Sequence, residues 1–370
     1  MTLIELSTPC LLLDQDRLVA NCQRMRARAA RASLRLRPHL KTLKCLQAAN
    51  LAVDASRAIA VSTLTEAAFF ASHGIRDILV AVCLPVSKLD RAVEIAQRHA
   101  GCRLSMPVED EHVARQLVER LESQPARLGV WVEIDCGEHR TGLAPDSEAL
   151  IKAGTLLARS RSVDFRGVMT HAGQSYGCRS EDEIKAVATA ERDAAVAAKH
   201  RLLAAGLPCA DVSVGSTPTA VFGDDWTGVT ELRPGVYMAG DLFQQRLGTV
   251  RTEDLALTVL STVISSKPGR CVIDAGGLAL SKDRSLLGMP GDPGFGEVLS
   301  VDGAPLGLRV HDVHQEHGEI HLPPGVELSV GQKVRVIPVH ACMTAAAHAG
   351  YHVVQSGQVV GEWHRVNGWA

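Results

Sequence analysis

The feature that most constrains the fold is an alternation of apolar strand-like runs and amphipathic helical stretches between residues 33 and 240. The runs are short, β-branched and almost continuously apolar, which predicts parallel strands covered by helices on both faces. The clearest are "AIAV", "DILVAVCL", "CRLSM", "LGVWVEID", "VDFRGVMTH" and "DVSVG". Counting "LRLRPH" first and "TELRPGVY" last gives about eight β/α units, the number in a (β/α)8 TIM-type barrel.

After about residue 245 the pattern changes to short strands split by Gly, Pro and Asp turns, as in "RCVIDAGG" and "QKVRVIPVHA". No long helical stretch interrupts them, which predicts an all-β domain. We therefore expect a barrel over 20–245 and a β domain made of 1–19 together with 246–370. A doubly wound open sheet is the alternative for the first domain, although no G-x-G-x-x-G follows its first strand.

Composition excludes several classes of function. A formal net charge of -2 argues against nucleic acid or an anionic membrane as the main partner. No apolar run approaches the roughly 20 residues needed to cross a bilayer, and the N-terminus lacks the features of a signal peptide. The ten cysteines are scattered without a C-x-x-C pair, so we expect reduced thiols in a cytoplasmic protein.

A lysine follows the first predicted barrel strand. In "RPHLKTLK", Lys41 falls where that strand should end, close to His39. Catalytic residues of such barrels lie at the C-terminal ends of strands. Desolvation favours the neutral form of an amine, and a neutral amine can form a Schiff base with an aldehyde. The alternative is a surface lysine with a buried aliphatic stem.

A candidate phosphate site follows the last two strands, in "SVGSTPT" and "RPGVY". Backbone N–H groups, hydroxyls and glycines that permit close approach are supplied there by Gly215, Ser216, Thr217, Gly235 and Tyr237. Barrels often bind phosphate in the loops after strands seven and eight. The alternative is two ordinary Gly/Pro turns. A Schiff-base lysine opposite a phosphate cradle predicts pyridoxal phosphate, whose aldehyde and phosphate lie at opposite edges of one ring.

Two further strand ends are polar. "EIDCGEHRTG" brings Arg140, whose guanidinium could contact the pyridine nitrogen or phenolic oxygen of the cofactor. "MTHAGQSY" brings His171 and Tyr176. A lone histidine is usually a hydrogen-bonded core residue, but these two strand ends and the next one, in "SVGSTPT", are three consecutive polar strand ends, which favours a binding site.

The β domain contains a candidate metal pair. "PVHACMT" places His340 and Cys342 two apart on a predicted strand, so both side chains should point to the same face. Imidazole and thiolate suit Zn²⁺, and other divalent metals also accept them. Two protein ligands leave open positions for water or substrate. "QEHG" adds Gln315, Glu316 and His317 as groups that could orient ligands or contact substrate.

With these motifs in this order, the chain resembles the fold-type III pyridoxal phosphate enzymes of the eukaryotic-type D-serine dehydratase family. That family includes D-threo-3-hydroxyaspartate dehydratase and, more distantly, D-threonine aldolase. The resemblance covers nearly the whole chain, through "TPCLLLD", "RPHLKTLK", "SVGSTPTA", "DAGGLALSKD" and "QEHG". It implies an alanine-racemase-like barrel with a C-terminal β domain, a homodimer, and active sites that combine barrel and β-domain residues.

Carried over position by position, the resemblance implies Lys41 as the Schiff-base lysine, Arg140 as a cofactor contact, and His340 with Cys342 as zinc ligands. It matches the phosphate-site positions to Gly215, Ser216, Thr217, Gly235 and Tyr237. The aldolases carry Asp where Cys342 stands, which favours a dehydratase. One departure is Val339, where the relatives often have Asn before the metal histidine.

The implied reaction is elimination of water from a D-β-hydroxy amino acid, a small-molecule substrate. D-serine would give pyruvate and ammonia, and D-threo-3-hydroxyaspartate would give oxaloacetate and ammonia. The rivals are an aldolase that cleaves the Cα–Cβ bond, a racemase with a second base opposite Lys41, and a non-catalytic pyridoxal phosphate carrier. The β domain argues against the carrier. A substrate β-carboxylate would need a cationic partner, for which Lys282 and Arg284 are candidates.

Overall fold

The computed structural model describes residues 2–124, 126–289 and 291–369, which fall into two units. One unit comprises the chain up to Gln23 with Val236–Arg365, and the other comprises Arg24–Gly235 with the residues after Arg365. The described strands are β1 (Cys10–Asp14), β2 (Arg35–Leu36), β3 (Ala58–Val61), β4 (Asp77–Val80), β5 (Arg103–Val108), β6 (Leu128–Glu133), β7 (Val163–Met169), β8 (Asp211–Val214), β9 (Glu231–Leu232), β10 (Leu257–Lys267), β11 (Arg270–Ile273), β12 (Gly296–Ser300), β13 (Pro305–Val313), β14 (Gly318–His321), β15 (Lys333–Pro338), β16 (Gly350–Gln355) and β17 (Gln358–His364). The described α-helices are α1 (Gln15–Arg31), α2 (Leu46–Ala52), α3 (Leu64–Ser72), α4 (Leu89–Arg98), α5 (Glu111–Glu122), α6 (Glu148–Arg159), α7 (Glu181–Ala204), α8 (Thr217–Phe222), α9 (Leu242–Arg246), α10 (Gly277–Leu280) and α11 (Ala341–Ala346).

The unit around Arg24–Gly235 contains an eight-stranded parallel sheet in the order β2-β9-β8-β7-β6-β5-β4-β3. Its edges are joined by a parallel bridge between His39 and Ala60, and the Leu40 N–H donates to the Ala60 carbonyl at 2.8 Å. The sheet therefore closes on itself, and the predicted (β/α)8 barrel is confirmed. The open doubly wound alternative is wrong because the two edge strands meet.

The helices around the barrel begin at side chains that accept backbone N–H bonds. Asp110 accepts from His112 and Val113 at the start of α5, and Ser180 accepts from Glu183 at the start of α7. Such caps satisfy N–H groups that have no partner within the helix. Among the residues that the structure describes, no helix is both long enough and apolar enough to cross a membrane.

Charged side chains fill the N-terminal end of the barrel interior. Arg37 is only 1% exposed. Its Nε donates to Glu231 Oε1 at 2.8 Å and its Nη1 donates to Asp77 Oδ1 at 2.7 Å. Further along the strands, an apolar cluster contains Ala60, Leu79, Trp131 and Met169. The charges are thus neutralised in pairs beneath an apolar layer.

The other unit contains a nine-stranded sheet in the order β11-β14-β13-β12-β15-β10-β1-β16-β17. Because β10 also pairs with β11, the six strands from β11 to β10 in that order form a ring. The N-terminal β1 pairs antiparallel with β10 and parallel with β16. The described α-helices after Val236 have only four to six residues, and the predicted β domain after the barrel is confirmed.

Candidate active site

Lys41 follows the last ladder bond of the first barrel strand. Strand β2 ends at Leu36, but backbone hydrogen bonds to the neighbouring segments continue beyond it. The His39 N–H donates to the Pro234 carbonyl and the Leu40 N–H to the Ala60 carbonyl, both at 2.8 Å. The Lys41 backbone N–H donates to His39 Nδ1 at 3.3 Å. The lysine side chain therefore starts at the C-terminal end of the barrel, where the sequence predicts it.

Lys44, the second lysine of the same motif, is held differently. Its Nζ lies 3.1 Å from Glu66 Oε1, and Glu66 is fully buried. In the part of the chain that the structure describes, Lys41 makes no ion pair. Because Lys44 is tied to a buried carboxylate, the geometry distinguishes Lys41 as the lysine whose amine is open to a ligand.

Two imidazoles accompany Lys41, and both are neutral. Burial lowers the pKa of His39 well below its ordinary value, and Lys41 and Arg233 lower it further. Burial, followed by the charge of Lys41, lowers the pKa of His171 to about 3. His171 Nδ1 lies 3.1 Å from the Gly215 carbonyl, which can only accept, so Nδ1 carries the proton and Nε2 keeps its lone pair.

Arg233 is not among the residues predicted from the sequence. It is almost fully buried directly after β9. Its Nη1 donates to Ser213 Oγ at 2.6 Å and its Nη2 to the Thr170 carbonyl at 2.5 Å. It therefore ties together the ends of three barrel strands. The signal that could have found it is a cation directly after a buried strand, the same signal that identified Lys41.

Gly215 lies at the end of β8 with φ +124, and a Cβ there would lie 2.9 Å from the Arg233 nitrogen. Only glycine fits that conformation without strain. Its N–H donates to Glu191 Oε1 at 2.9 Å, and the same oxygen accepts from the Ala172 N–H at 3.0 Å. The Gly215 N–H is thus used inside the protein, contrary to the expectation that it is offered to a phosphate.

The neighbouring phosphate-site candidates also have internal roles. The Ser216 N–H donates to Thr219 Oγ1 at 3.0 Å, and Ser216 Oγ accepts from the Thr219 N–H at 3.2 Å. Thr217 is the buried first residue of α8. A Cβ on Gly235 would lie 2.9 Å from the His39 carbonyl oxygen, so this glycine allows close approach to the lysine motif. Tyr237 is buried and belongs to the other unit.

Of the two remaining barrel candidates, Tyr176 lies beside another predicted site residue and Arg140 is exposed. The ring centroid of Tyr176 lies 6.3 Å from that of His171, so these two residues come together. The side chain of Arg140 is 56% exposed and its Nη1 lies 3.2 Å from Glu138 Oε1. Arg140 therefore lies at the mouth of the barrel with a carboxylate of its own loop as partner.

His340 and Cys342 are adjacent, but the prediction that they share a strand is wrong. Strand β15 ends at Pro338, His340 is the N-cap of α11, and Cys342 is the second residue of that helix. The alanines of "ACMTAA" have high helix propensity, and the chain turns there. The side chain of Cys342 still hydrogen-bonds His340, so the two donor groups meet.

Two side chains hold the ring of His340. Burial opposes a charge on its ring, but hydrogen bonds with Asp283 and Cys342 raise the pKa of His340 to about 10. Within the described ranges, no group of three or more His, Cys, Asp or Glu side chains is arranged to hold a metal ion. One imidazole and one sulfur fit zinc with the remaining coordination positions open.

The "QEHG" turn connects β13 and β14. The backbone of this turn and of the preceding His314 contacts α10: the Gly277 N–H donates to the His314 carbonyl at 2.7 Å and the Leu278 N–H to the Gln315 carbonyl at 3.1 Å. A Cβ on Gly276 would lie 2.3 Å from the His317 nitrogen. The side chains of Gln315 and His317 are exposed. The contacts described here are thus made by the backbone of the turn.

The barrel, the lysine at the C-terminal end of its strands and the additional β unit define an enzyme of the alanine racemase fold class. The family model "Alanine racemase, N-terminal domain" matches residues 13–242, and the model "Putative serine dehydratase domain" matches residues 256–354. The chain belongs to the alanine racemase N-terminal domain family and also carries the serine dehydratase domain.

Known relatives match over the full length of the chain. D-threo-3-hydroxyaspartate dehydratase of Delftia sp. (strain HT23) is 37% identical, over 100% of this chain and 99% of that protein. D-serine dehydratase of Dictyostelium discoideum is 30% identical, over 98% of each. The solved structure of D-threo-3-hydroxyaspartate dehydratase from Delftia sp. HT23 gives a TM-score of 0.93 at 36% identity and covers 100% of both chains.

Proposed function

We propose that this chain is a pyridoxal phosphate-dependent dehydratase that eliminates water from a D-β-hydroxy amino acid. D-threo-3-hydroxyaspartate is the first candidate substrate and D-serine the second. The observation that carries the proposal is Lys41 at the C-terminal end of a barrel whose whole chain is 37% identical to a D-threo-3-hydroxyaspartate dehydratase. The products would be oxaloacetate or pyruvate, with one ammonia for each substrate consumed.

The residues of the barrel fit pyridoxal phosphate. Lys41 offers an amine without an ion-pair partner among the described residues, and Arg233 adds a buried cation that favours an anionic ligand. When bound, the cofactor would withdraw electrons from the substrate α-carbon and so ease loss of its proton. We propose that the cofactor is held by Lys41, His39, Arg140, His171, Tyr176, Gly215, Ser216, Thr217, Gly235 and Tyr237.

The proposed work of this chain in catalysis is proton transfer and orientation. Lys41 Nζ would take the substrate α-proton as the general base. Because burial lowers the pKa values of His39 and His171, both imidazoles stay neutral and can act as hydrogen-bond partners. The Nε2 lone pair of His171 offers a hydrogen-bond acceptor on the same side of the barrel.

His340 and Cys342 would hold a zinc ion, which supplies a Lewis acid for a departing β-hydroxyl. The sulfur of Cys342, in place of the aspartate expected in the aldolases, supports elimination over carbon–carbon cleavage. Gln315 and His317 are proposed to orient ligands or substrate around this pair. Arg284 is already paired with Asp292 at 3.0 Å, which weakens it as a partner for a substrate β-carboxylate.

We further propose a cytoplasmic homodimer. All ten cysteines lie in the described ranges and none of them forms a disulfide, as expected in a reducing compartment. The dimer rests on the family resemblance alone. Light scattering after size exclusion would separate a dimer from a monomer of 39.5 kDa.

The decisive experiment is incubation of the cofactor-loaded protein with a panel of D- and L-β-hydroxy amino acids. Ammonia, 2-oxo acid and glycine are measured separately. A dehydratase releases 2-oxo acid and ammonia in equal amounts, whereas an aldolase releases glycine and an aldehyde without ammonia. Protein that binds the cofactor but converts no member of the panel would support the carrier. A metal chelator should abolish elimination while leaving the cofactor bound, and zinc should restore it.

A further inference from the structure

A carboxylate outside the predicted metal pair holds the ring of His340. Asp283 Oδ2 lies 2.7 Å from His340 Nδ1, and both side chains are mostly buried, at 18% and 31% exposure. An ionised carboxylate can only accept a hydrogen bond, so Nδ1 carries the proton between them. Asp283 thereby fixes both the tautomer and the orientation of this imidazole.

The other nitrogen of the ring is the one left for a metal. Nδ1 is engaged by Asp283, which leaves Nε2, and the side chain of Cys342 hydrogen-bonds the same ring. Histidines that ligate metals generally donate their second N–H to a carboxylate or carbonyl, which sets the ring orientation. Asp283, His340 and Cys342 match this arrangement, with a carboxylate on one side of the imidazole and a sulfur as the second candidate ligand.

Asp283 is itself held in place. Its Oδ1 accepts from the Ser285 N–H at 2.8 Å and from the Ser285 hydroxyl, and its own N–H donates to Ser281 Oγ at 3.2 Å. Both carboxylate oxygens therefore have partners. Rotation of the carboxylate would break bonds at both oxygens, so it gives His340 a fixed hydrogen-bond acceptor.

A second carboxylate fixes the backbone of the same segment independently. Asp241 Oδ2 accepts from the Ala341 N–H at 2.8 Å, between the two candidate ligands, and its Oδ1 accepts from the Gln244 N–H at 2.8 Å. Loss of the Asp283 side chain would therefore release the ring of His340 while the chain around it stays anchored.

We propose that Asp283 is a positioning residue of the metal site, which orients His340 so that Nε2 and the Cys342 sulfur face one metal ion. The proposal rests on the zinc site proposed above. Loss of such a partner usually weakens metal binding by about 10–100-fold. We expect Asp283→Ala to raise the zinc dissociation constant by that factor. Asp283→Asn keeps an acceptor oxygen and should have a smaller effect.

The test uses the full-length protein stripped of metal. The zinc dissociation constant is measured by competition with a chromogenic chelator, and cobalt(II) is titrated in parallel because its absorption spectrum reports thiolate ligation and coordination geometry. Asp302→Ala is the matched control, since Asp302 also accepts from a serine hydroxyl in this unit, from Ser300 at 2.5 Å. The control should bind zinc as the wild type does and give the same cobalt spectrum.

The outcomes separate this inference from the proposed metal site. Weakened zinc binding with an altered cobalt spectrum in the Asp283 variants, and not in the control, supports the role of Asp283. Wild-type affinity and spectrum in folded Asp283→Ala overturn it while the metal site stands. If Asp283→Ala does not fold by circular dichroism, the near-isosteric Asp283→Asn decides in the same way. Zinc binding that is absent from the wild type, or unchanged in Cys342→Ala, overturns the metal site and the Asp283 role together.

Discussion

The two ends of the barrel are both rich in charge, but the charges are arranged differently. At the N-terminal end, arginines are matched with carboxylates. The pairs are Arg37 with Glu231 and Asp77, Arg35 and Arg166 with Asp211, and Arg103 with Asp77. At the C-terminal end, Lys41 has two neutral imidazoles beside it, and the Arg233 guanidinium donates to a hydroxyl and a carbonyl.

These arrangements indicate which end of the barrel can bind a ligand. Ion pairs that satisfy each other cancel their fields and hold strands in register, so they serve the fold. Lys41 and Arg233 form no ion pair within the described residues, although the carboxylates of Glu231, Glu191 and Glu133 act on Arg233 electrostatically. Cations that are not paired directly favour an anionic cofactor or substrate. In barrels of this type, substitutions at the N-terminal end affect stability, whereas the C-terminal end carries the chemistry. Substitutions at the N-terminal end should therefore lower stability and leave activity intact, whereas substitutions at the C-terminal end should lower activity and leave stability intact.

The largest expected effect on activity is that of Lys41→Ala. Loss of the general base should lower kcat/KM by at least about 10³-fold, while the urea unfolding midpoint stays close to that of the wild type. Borohydride reduction of the cofactor-loaded wild type should place a stable adduct on the peptide that contains Lys41, and the variant should give none. Peptide mapping by mass spectrometry provides the measurement.

Lys44→Arg is the matched control for that experiment, because it preserves the ion pair with Glu66. It should keep the adduct on Lys41 and most of the activity. An adduct on Lys44 in the wild-type protein, or none at all, would refute the assignment of the reactive lysine.

The largest expected effect on stability is that of Arg37→Met, at the opposite end. The substitution leaves Glu231 and Asp77 as buried carboxylates without their shared partner, which should cost about 3–5 kcal/mol of unfolding free energy. Urea denaturation measures this loss. The fraction that stays folded should retain wild-type kcat/KM, and a large drop in that value would contradict the separation of the two ends.

Glu231 gives the same comparison a pH dependence. Burial opposes its charge, but Arg37 outweighs burial and holds the pKa of Glu231 below its ordinary value of 4.5. The unfolded chain therefore takes up the proton first as the pH falls. The stabilisation by this carboxylate is present above about pH 4.5 and is lost as the pH falls towards the lower pKa of the folded state.

Glu231→Gln should accordingly be less stable than the wild type at neutral pH, by about 1.5–3 kcal/mol. The gap should narrow as the pH falls below 4.5. Urea midpoints collected across that range give the test. Glu297→Gln, which alters a partly exposed carboxylate paired with Arg246, should show no comparable convergence. A gap for Glu231→Gln that is independent of pH would mean that Arg37 does not depend on the ionised carboxylate.

The sequence predicts those residues of the barrel site that lie on, or directly after, a segment with a strand or helix periodicity. The strand-like run "LRLRPH" locates Lys41, because strand ends of a barrel share one face. Glu191 could also have been found: the buried stripe of α7 is Ile184, Ala188, Glu191, Ala195, Ala198 and Leu202, so a carboxylate falls on an apolar face with helical spacing. Periodicity does not predict the hydrogen bonds that Glu191 accepts from the loops that carry His171 and Gly215, because those bonds join segments that are distant in sequence.

The metal pair shows where sequence patterns fail. His340 and Cys342 do meet, but at a helix start, because the strand period ends at Pro338 and the following alanines favour helix. Asp283 lies in an irregular loop after α10, a segment without a repeating pattern. Its contact with His340 spans 57 residues of sequence. Contacts made by irregular loops depend on three-dimensional packing that local sequence does not encode.

The smallest expected effect is that of Arg103→Ala, on the rim of the N-terminal end. Its side chain is 65% exposed, and it shares Asp77 with the buried Arg37: Arg103 Nη2 lies 2.9 Å from Asp77 Oδ2, and Arg37 Nη1 lies 2.7 Å from Asp77 Oδ1. Solvent screens such a pair, so the loss should be about 0–1 kcal/mol and should shrink further in high salt. In an Arg37→Met background, however, Arg103 becomes the remaining cation on a carboxylate that is mostly buried. The same substitution should then cost more, and the excess measures the coupling between the two arginines. Strictly additive losses of unfolding free energy in that double-mutant cycle would show that Asp77 does not couple Arg103 to Arg37. The N-terminal end would then be a set of independent ion pairs and not one network.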